Sequence, residues 1–262
     1  MDATKWIADY EKTSRNALTV EWFVSPLEYA WGNGKQIADS VFRGPSTQNA
    51  TLDQRIAPEL YKVAMKFDFR AKMMVYAFMR ELIAKTYALE IESGLISLYG
   101  LDFMSCLSQW IYVVEGYCRK LFQVTSQTNV KSTSWVTPTT GDPKDDRTID
   151  VVCRALGRYL DTIVYQSTND AQTTKLNRHL MLHGNLQSEA FYSQKNCLSL
   201  MFVLDSLVFI EMVKNGHFPQ IFQDGPGEAD RIARRKLVYA HEMEHSMEDP
   251  NLMKIALLDE HV

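Results

Sequence analysis

A chain of 262 residues carrying a formal net charge of −4 is long for one small bundle and short for two ordinary domains, so one main domain with an extension is expected. Hydrophobic residues at 46% and charged residues at 23% give the balance of a globular protein and exclude a disordered or collagen-like chain. The acidic total excludes a histone-like or coating role, and any contact with RNA must come from a local basic patch.

Residues 1–60 read as an N-terminal extension. An amphipathic helix from Ala3 to Asn16 carries Trp6, Ile7 and Tyr10, and an irregular stretch with Pro26, Gly32, Gly34, Gly44 and Pro45 follows. Thr19 to Val24 is the one place with strand-like alternation. The absence of a basic start followed by an apolar run argues against a secretory signal and for a cytoplasmic location.

From Leu52 the pattern becomes helical, with segments Leu52 to Lys66 and Phe69 to Glu92 built from good helix formers, and Gly94 and Gly100 mark a break. Leu101 to Gln123 follows as a long helix whose Met104, Leu107, Trp110, Ile111, Val114, Cys118 and Leu121 recur at spacings of three and four. Residues 124–147, with Pro138, Gly141 and Pro143, form the longest expected loop. Helix resumes over Thr148 to Gln166 and stops at the polar run Ser167 to Thr174. A nearly all-apolar helix, Lys195 to Lys214, must then be central.

The most apolar part of that last helix, Leu198 to Val213, contains Asp205 and Glu211 and falls short of the roughly 20 residues of a membrane span, so no membrane partner is expected. A charged helix from Gly227, Pro250 and a short apolar ending, Leu252 to Leu258, complete the chain. The expected organisation is an extension (1–60), a helical domain (61–220) and a charged C-terminal helix and tail (221–262). The expected fold class is all-α, an up-and-down helical bundle. Cys106, Cys118, Cys153 and Cys197 lie far apart without a Cys-x-x-Cys pair, which fits buried thiols in a reducing compartment.

Residues 177–184 read Asn-Arg-His-Leu-Met-Leu-His-Gly and combine the permanent charge of Arg178 with the imidazole of His183, which can exchange a proton near neutral pH. Those two groups suffice for RNA scission, because the ribose 2′-hydroxyl is an internal nucleophile. The protein need only move protons and stabilise charge on the phosphate. On a regular helix the two positions are about 140° apart, so one copy makes a poor site. A twofold dimer would place two arginines and two histidines around one cleft. The same residues also fit a helix end, with His183 beside the last carbonyls and Gly184 as the stop.

The Arg-x-x-x-x-His core, with His179 after the arginine, Asn177 before it and Gly184-Asn185 after His183, resembles the motif of HEPN ribonucleases. Residues 196–207, Asn-Cys-Leu-Ser-Leu-Met-Phe-Val-Leu-Asp-Ser-Leu, are similar to the apolar helix that follows it in that family. Upstream, Glu115-Gly-Tyr-Cys-Arg119 resembles the family's Glu-Gly-x-x-Arg helix, so the likeness covers about residues 75–215. It implies a helical bundle acting as a homodimer and an endoribonuclease without metal or cofactor. It also implies roles in phage defence, in toxin–antitoxin pairs with an antitoxin or regulatory partner, and in RNA processing. Carried over by position, Arg178 and His183 are catalytic and His179 and Asn177 neighbour them. Glu115 could support the cleft, or simply pair with Arg119 on its own helix. Asn185 stands where some toxins of this family have a modifiable tyrosine, so regulation by that route is not expected. Some relatives of this kind do not cut RNA and serve as nucleotide- or partner-binding modules, which is the first alternative.

A second alternative, a zinc metallohydrolase, comes from His241-Glu242-Met-Glu-His245, two imidazoles one turn apart with a carboxylate between. A third ligand would have to come from Asp249, Glu260, His261 or farther away, and the clustered Glu242, Glu244, Glu248 and Asp249 suit a solvated face. Arg231, Arg234, Arg235 and Lys236 form a basic strip that could hold RNA phosphates, although Glu228 and Asp230 lie beside it.

Overall fold

The computed structural model describes residues 3–31, 34–42, 51–125, 130–166, 176–178, 192–217 and 227–248. Helices account for most of them, and the described residues contain no strand. Three helices occupy the N-terminal region: α1 (Ala3–Leu18), α2 (Pro26–Trp31) and α3 (Gly34–Phe42). Then come α4 (Leu52–Ala64), α5 (Phe67–Met73), a π-helical turn (Met74–Phe78), the single turn α6 (Leu82–Lys85), α7 (Ala88–Tyr99) and α8 (Phe103–Leu121). A short 3-10 turn (Ser132–Ser134) precedes α9 (Pro143–Tyr159) and its π-helical end (Leu160–Val164), followed by α10 (Gln194–Lys214) and α11 (Glu228–Glu248).

Local chemistry sets the helix starts. Thr51 and Gln54 form a reciprocal capping box on α4, the Asp102 carboxylate accepts from Ser105 N at 3.1 Å, and Ser193 Oγ accepts from Asn196 N at 3.2 Å. At α9 an Asp142 cap is followed by Pro143, whose fixed φ and missing N–H suit the first helical position. One contiguous core runs from Tyr10 to Tyr239 and includes Trp22, Phe23 and Val24, so the extension and the C-terminal helix share it with the rest of the chain. The boundary expected at 60/61 falls inside α4.

α10 is the centre. Every residue from Asn196 to Val213 is buried, including Asp205 and Glu211. At 21 residues the helix is long and apolar enough to cross a bilayer by length and composition, but here neighbouring helices cover it. α8 and α9 both pack on it. A buried carboxylate is tolerable only with partners. Asp205 Oδ2 meets Arg70 Nη1 of α5 at 2.5 Å, both side chains being almost fully buried, with the Arg70 guanidinium also 5.2 Å from the Phe69 ring centre and 5.8 Å from that of Phe202. Glu211 accepts from Ile83 N at 2.7 Å, Ala84 N at 3.2 Å and Tyr117 Oη at 2.5 Å.

These contacts explain the largest departure from the sequence reading. Phe69 to Glu92 is not one helix: the chain passes through the π-helical turn, and α6 begins afresh with its first N–H groups on the Glu211 carboxylate. Gly94, expected to break the chain, lies inside α7. A Cβ there would stand 2.1 Å from Trp110 Nε1, whose indole fills the space and donates to Ile91 O at 3.2 Å. Gly100 does end α7 as its C-terminal cap. The stretch expected to be irregular holds the short helices α2 and α3, and Thr19 to Val24 forms a turn and an extended link rather than a strand. The polar run Ser167 to Thr174 and the tail from Asp249 lie outside the described residues.

Two predictions follow from this packing. Arg70→Met and Asp205→Leu, made singly, each strand a buried charge and destabilise the protein by about 3–5 kcal/mol in urea unfolding, whereas the double variant recovers most of the loss. Additive single losses would show that the pair is not the shared cause. Burial is also the main reason why the Cys153 thiol is pushed up from its ordinary 9.0 to about 12, with Asp150 adding to the effect. Between about pH 9 and pH 12 the unfolded chain has released this proton while the folded chain keeps it, so stability is full below that window and falls as pH rises through it. Urea midpoints measured at a series of alkaline pH values for wild type and Cys153→Ala test this, the variant showing the shallower decline.

Candidate functional site

The last two turns of α8, the end of α9 and the residues before Arg178 converge on one polar cluster. Glu115 and Arg119 are four apart on α8, so they share a face. Glu115 Oε1 accepts from Arg119 Nη2 at 2.9 Å and Nε at 3.2 Å. The other oxygen, Oε2, lies 2.5 Å from Arg178 Nε. One carboxylate therefore bridges two guanidiniums that are 59 positions apart in sequence. All three side chains are partly buried, at 18%, 28% and 21% exposure for Glu115, Arg119 and Arg178, which lessens solvent screening of the pairs without removing it.

Backbone and apolar contacts hold this cluster in place. Asn177, fully buried, donates from Nδ2 to Gln166 O at 3.0 Å and so ties the residue before Arg178 to the end of α9. Leu176 is buried beside it in sequence. Gly116 lets α8 approach the next layer: a Cβ there would stand 2.4 Å from Tyr87 Oη. Tyr87 in turn stacks on Tyr117, with ring centres 6.2 Å apart, and carries Lys120 Nζ 4.7 Å from its own centre.

Tyr165 was not singled out from the sequence. It is almost fully buried, and its pKa is pushed well above the ordinary range, first by burial and then by Cys118 and Glu115, against the opposing pull of Arg178 and Arg119. Its hydroxyl takes no hydrogen-bond partner among the described residues. Burial likewise holds the Cys118 thiol high, with Cys153 and Glu115 adding to the effect. No sequence signal marks Tyr165, because its place depends on the π-helical end of α9.

Of the residues expected at the site, Arg178, Asn177 and Glu115 are brought together, while His179 and His183 lie outside the described residues. The basic strip is divided. Arg231, Arg234 and Lys236 are exposed on α11, whereas Arg235 is committed to Glu92 of α7, with Nε–Oε1 at 2.6 Å and Nη2–Oε2 at 3.1 Å. α11 packs mainly on α5 and α7. His241 and His245 are exposed with ring centres 6.3 Å apart, and no third metal-binding side chain joins them among the described residues. Asp249, Glu260 and His261 lie outside those residues. A further imidazole, His217, places Nδ1 2.7 Å from Oε1 of the buried Glu81, whose Oε2 accepts from Asn215 Nδ2 at 2.7 Å. This group closes the end of α10.

No protein-family model, no curated protein and no solved structure matches the chain.

Removing the Tyr165 hydroxyl removes a buried polar atom that has no partner among the described residues. Tyr165→Phe is therefore expected to raise stability by about 1 kcal/mol in urea unfolding, and a loss of similar size would show that the hydroxyl is engaged.

Proposed function

We propose that this protein is a metal-independent endoribonuclease of the HEPN type, acting as a homodimer with a composite site and serving as a toxin or antiviral-defence effector. The observation that carries this reading is the Glu115–Arg178 ion pair. It joins in space the two segments whose sequences separately resemble that family, Glu115 to Arg119 and the one that opens with Asn177-Arg178. The fold is all-α, the class that a HEPN-like bundle requires. In this reading Glu115 is a positioning residue. Its Oε2, 2.5 Å from Nε, keeps the guanidinium of Arg178 beside α8 by charge attraction, and an arriving phosphate would meet that guanidinium.

The chemistry needs little more. O2′ of the ribose attacks phosphorus, the bond from phosphorus to O5′ breaks, and the O2′ proton leaves to a base while O5′ takes one up. The ends formed are a 2′,3′-cyclic phosphate and a 5′-hydroxyl. His183 takes the role of proton carrier, and Arg178 stabilises the charge on the five-coordinate phosphorus. The angular separation of positions 178 and 183 on a helix, about 140°, is the reason for drawing these groups from two copies.

The test is incubation of purified protein with end-labelled RNA in EDTA, followed by analysis of the new termini. Wild type is expected to leave cyclic-phosphate ends. Arg178→Ala and His183→Ala should each slow cleavage by at least about 100-fold, and Glu115→Ala by about 10- to 100-fold through misplacement of Arg178. Intact RNA with wild type, loss of cutting in EDTA, or variants as active as wild type would each overturn the proposal.

A further inference from the structure

Between α1, α2 and α3 lies a groove of about 380 Å³, a volume suited to a small organic ligand. Trp6, Tyr29 and Phe42 supply aromatic surface to it. Trp6 is backed by the buried Tyr10, with ring centres 5.4 Å apart and planes 4° from parallel, so the surface it offers the groove is its other face or its edge. Tyr29 meets Trp6 edge-on at 6.2 Å and Tyr10 at 5.7 Å, which fixes the angle between the two groove walls. Gly34 at the start of α3 permits this closeness, since a Cβ there would stand 1.7 Å from Tyr29 O.

Charge is distributed unevenly around these rings. Lys5 of α1 and Lys35 of α3 line the groove from facing helices, both exposed and neither paired among the described residues. Asp9 is half-buried in the wall, beside Tyr29, and its carboxylate has no cation partner among the described residues. Asp39 also lines the groove and is engaged in interactions of its own.

Three ligand chemistries can be weighed against this lining. A purely apolar molecule would bury the Asp9 carboxylate without a partner, which is costly. An organic cation would suit the rings and Asp9, but it would meet both lysines, and the Phe42 ring already carries Lys12 Nζ 4.3 Å from its centre. A ligand with a flat aromatic head, hydroxyl or amino donors in the middle and an anionic end gives partners to the rings, Asp9 and both lysines, while Asp39 keeps the interactions it already has. Rings stack on the head, Asp9 accepts from the donors, and the lysines take the anion.

We propose that this groove binds a nucleotide unit, with its base on Trp6 and Tyr29, its ribose or exocyclic donors on Asp9, and its phosphate between Lys5 and Lys35. Free nucleotide and the phosphorylated end of an RNA share this chemistry. The inference does not rest on the ribonuclease reading, since it uses none of the residues around Arg178.

Calorimetric titration of the full-length protein tests it, with AMP as one probe and a 5′-phosphorylated, 2′-O-methylated RNA tetramer, which cannot be cleaved, as the other. Saturable binding is expected for at least one probe, AMP binding tighter if the ligand is free nucleotide and the tetramer if it is an RNA end. Lys5→Glu/Lys35→Glu, at two exposed positions that leave the fold intact by circular dichroism, should weaken binding by about tenfold or more. Trp6→Phe should retain most of the affinity and Trp6→Ala lose it, while Arg178→Ala binds AMP as wild type does. The proposal is overturned if neither probe binds, if the lysine variant binds as tightly as wild type, if AMP binding is lost with Arg178→Ala instead, or if spermidine binds and AMP does not.

Discussion

The architecture depends on burying α10 along with two carboxylates. A helix covered on all sides needs neighbours all round it, and Asp205 and Glu211 restrict which neighbours those can be. Asp205 needs a cation at depth and receives Arg70, which sets the depth of α5. Glu211 needs several donors and draws on two backbone N–H groups of α6 and the hydroxyl of Tyr117 on α8. Three of the elements around the centre are thus fixed by polar contacts whose geometry is far narrower than that of apolar packing.

The same constraint reaches the candidate site through α8. Tyr117 points into the core to meet Glu211, and residues two apart on a helix point about 200° apart, so Glu115 is carried to the other side. There it meets Arg178. Gly116, between them, removes the side chain that would hold α8 away from Tyr87. Burial of Glu211 and placement of Arg178 are therefore consequences of one helix held in one rotation, and a rotation of α8 large enough to release Arg178 would also strip Glu211 of its hydroxyl donor.

Much of the helical layout was legible in the sequence, because α1, α4, α8 and α10 each carry periodic apolar residues or strong caps. The region from Phe69 to Glu92 was not, since nothing local interrupts its helix-forming composition. Its interruption is tied to Glu211, more than 120 positions later, which no window of sequence can register. Gly94 misled for the opposite reason: a glycine that a neighbouring indole requires looks, in sequence, like a helix breaker. At the site, the Glu115–Arg119 pair follows from spacing alone. The contact of Glu115 with Arg178 had no signal except the resemblance of both segments to one family, and Tyr165 had none, because its position depends on the π-helical end of α9.

Holding an arginine in place with a carboxylate ordinarily defeats the purpose if the arginine is to meet an anion, because the positioning group cancels the charge it positions. In this cluster the second guanidinium removes that conflict. Arg119 takes one oxygen of Glu115 and Arg178 meets the other, so the three groups together keep a net positive charge. That charge is local, on a chain whose total is −4, and it lies among partly buried side chains where Coulomb interactions are screened less than at an open surface. An approaching anion would then meet a guanidinium already held beside α8 whose charge has not been cancelled, which is what anion stabilisation needs.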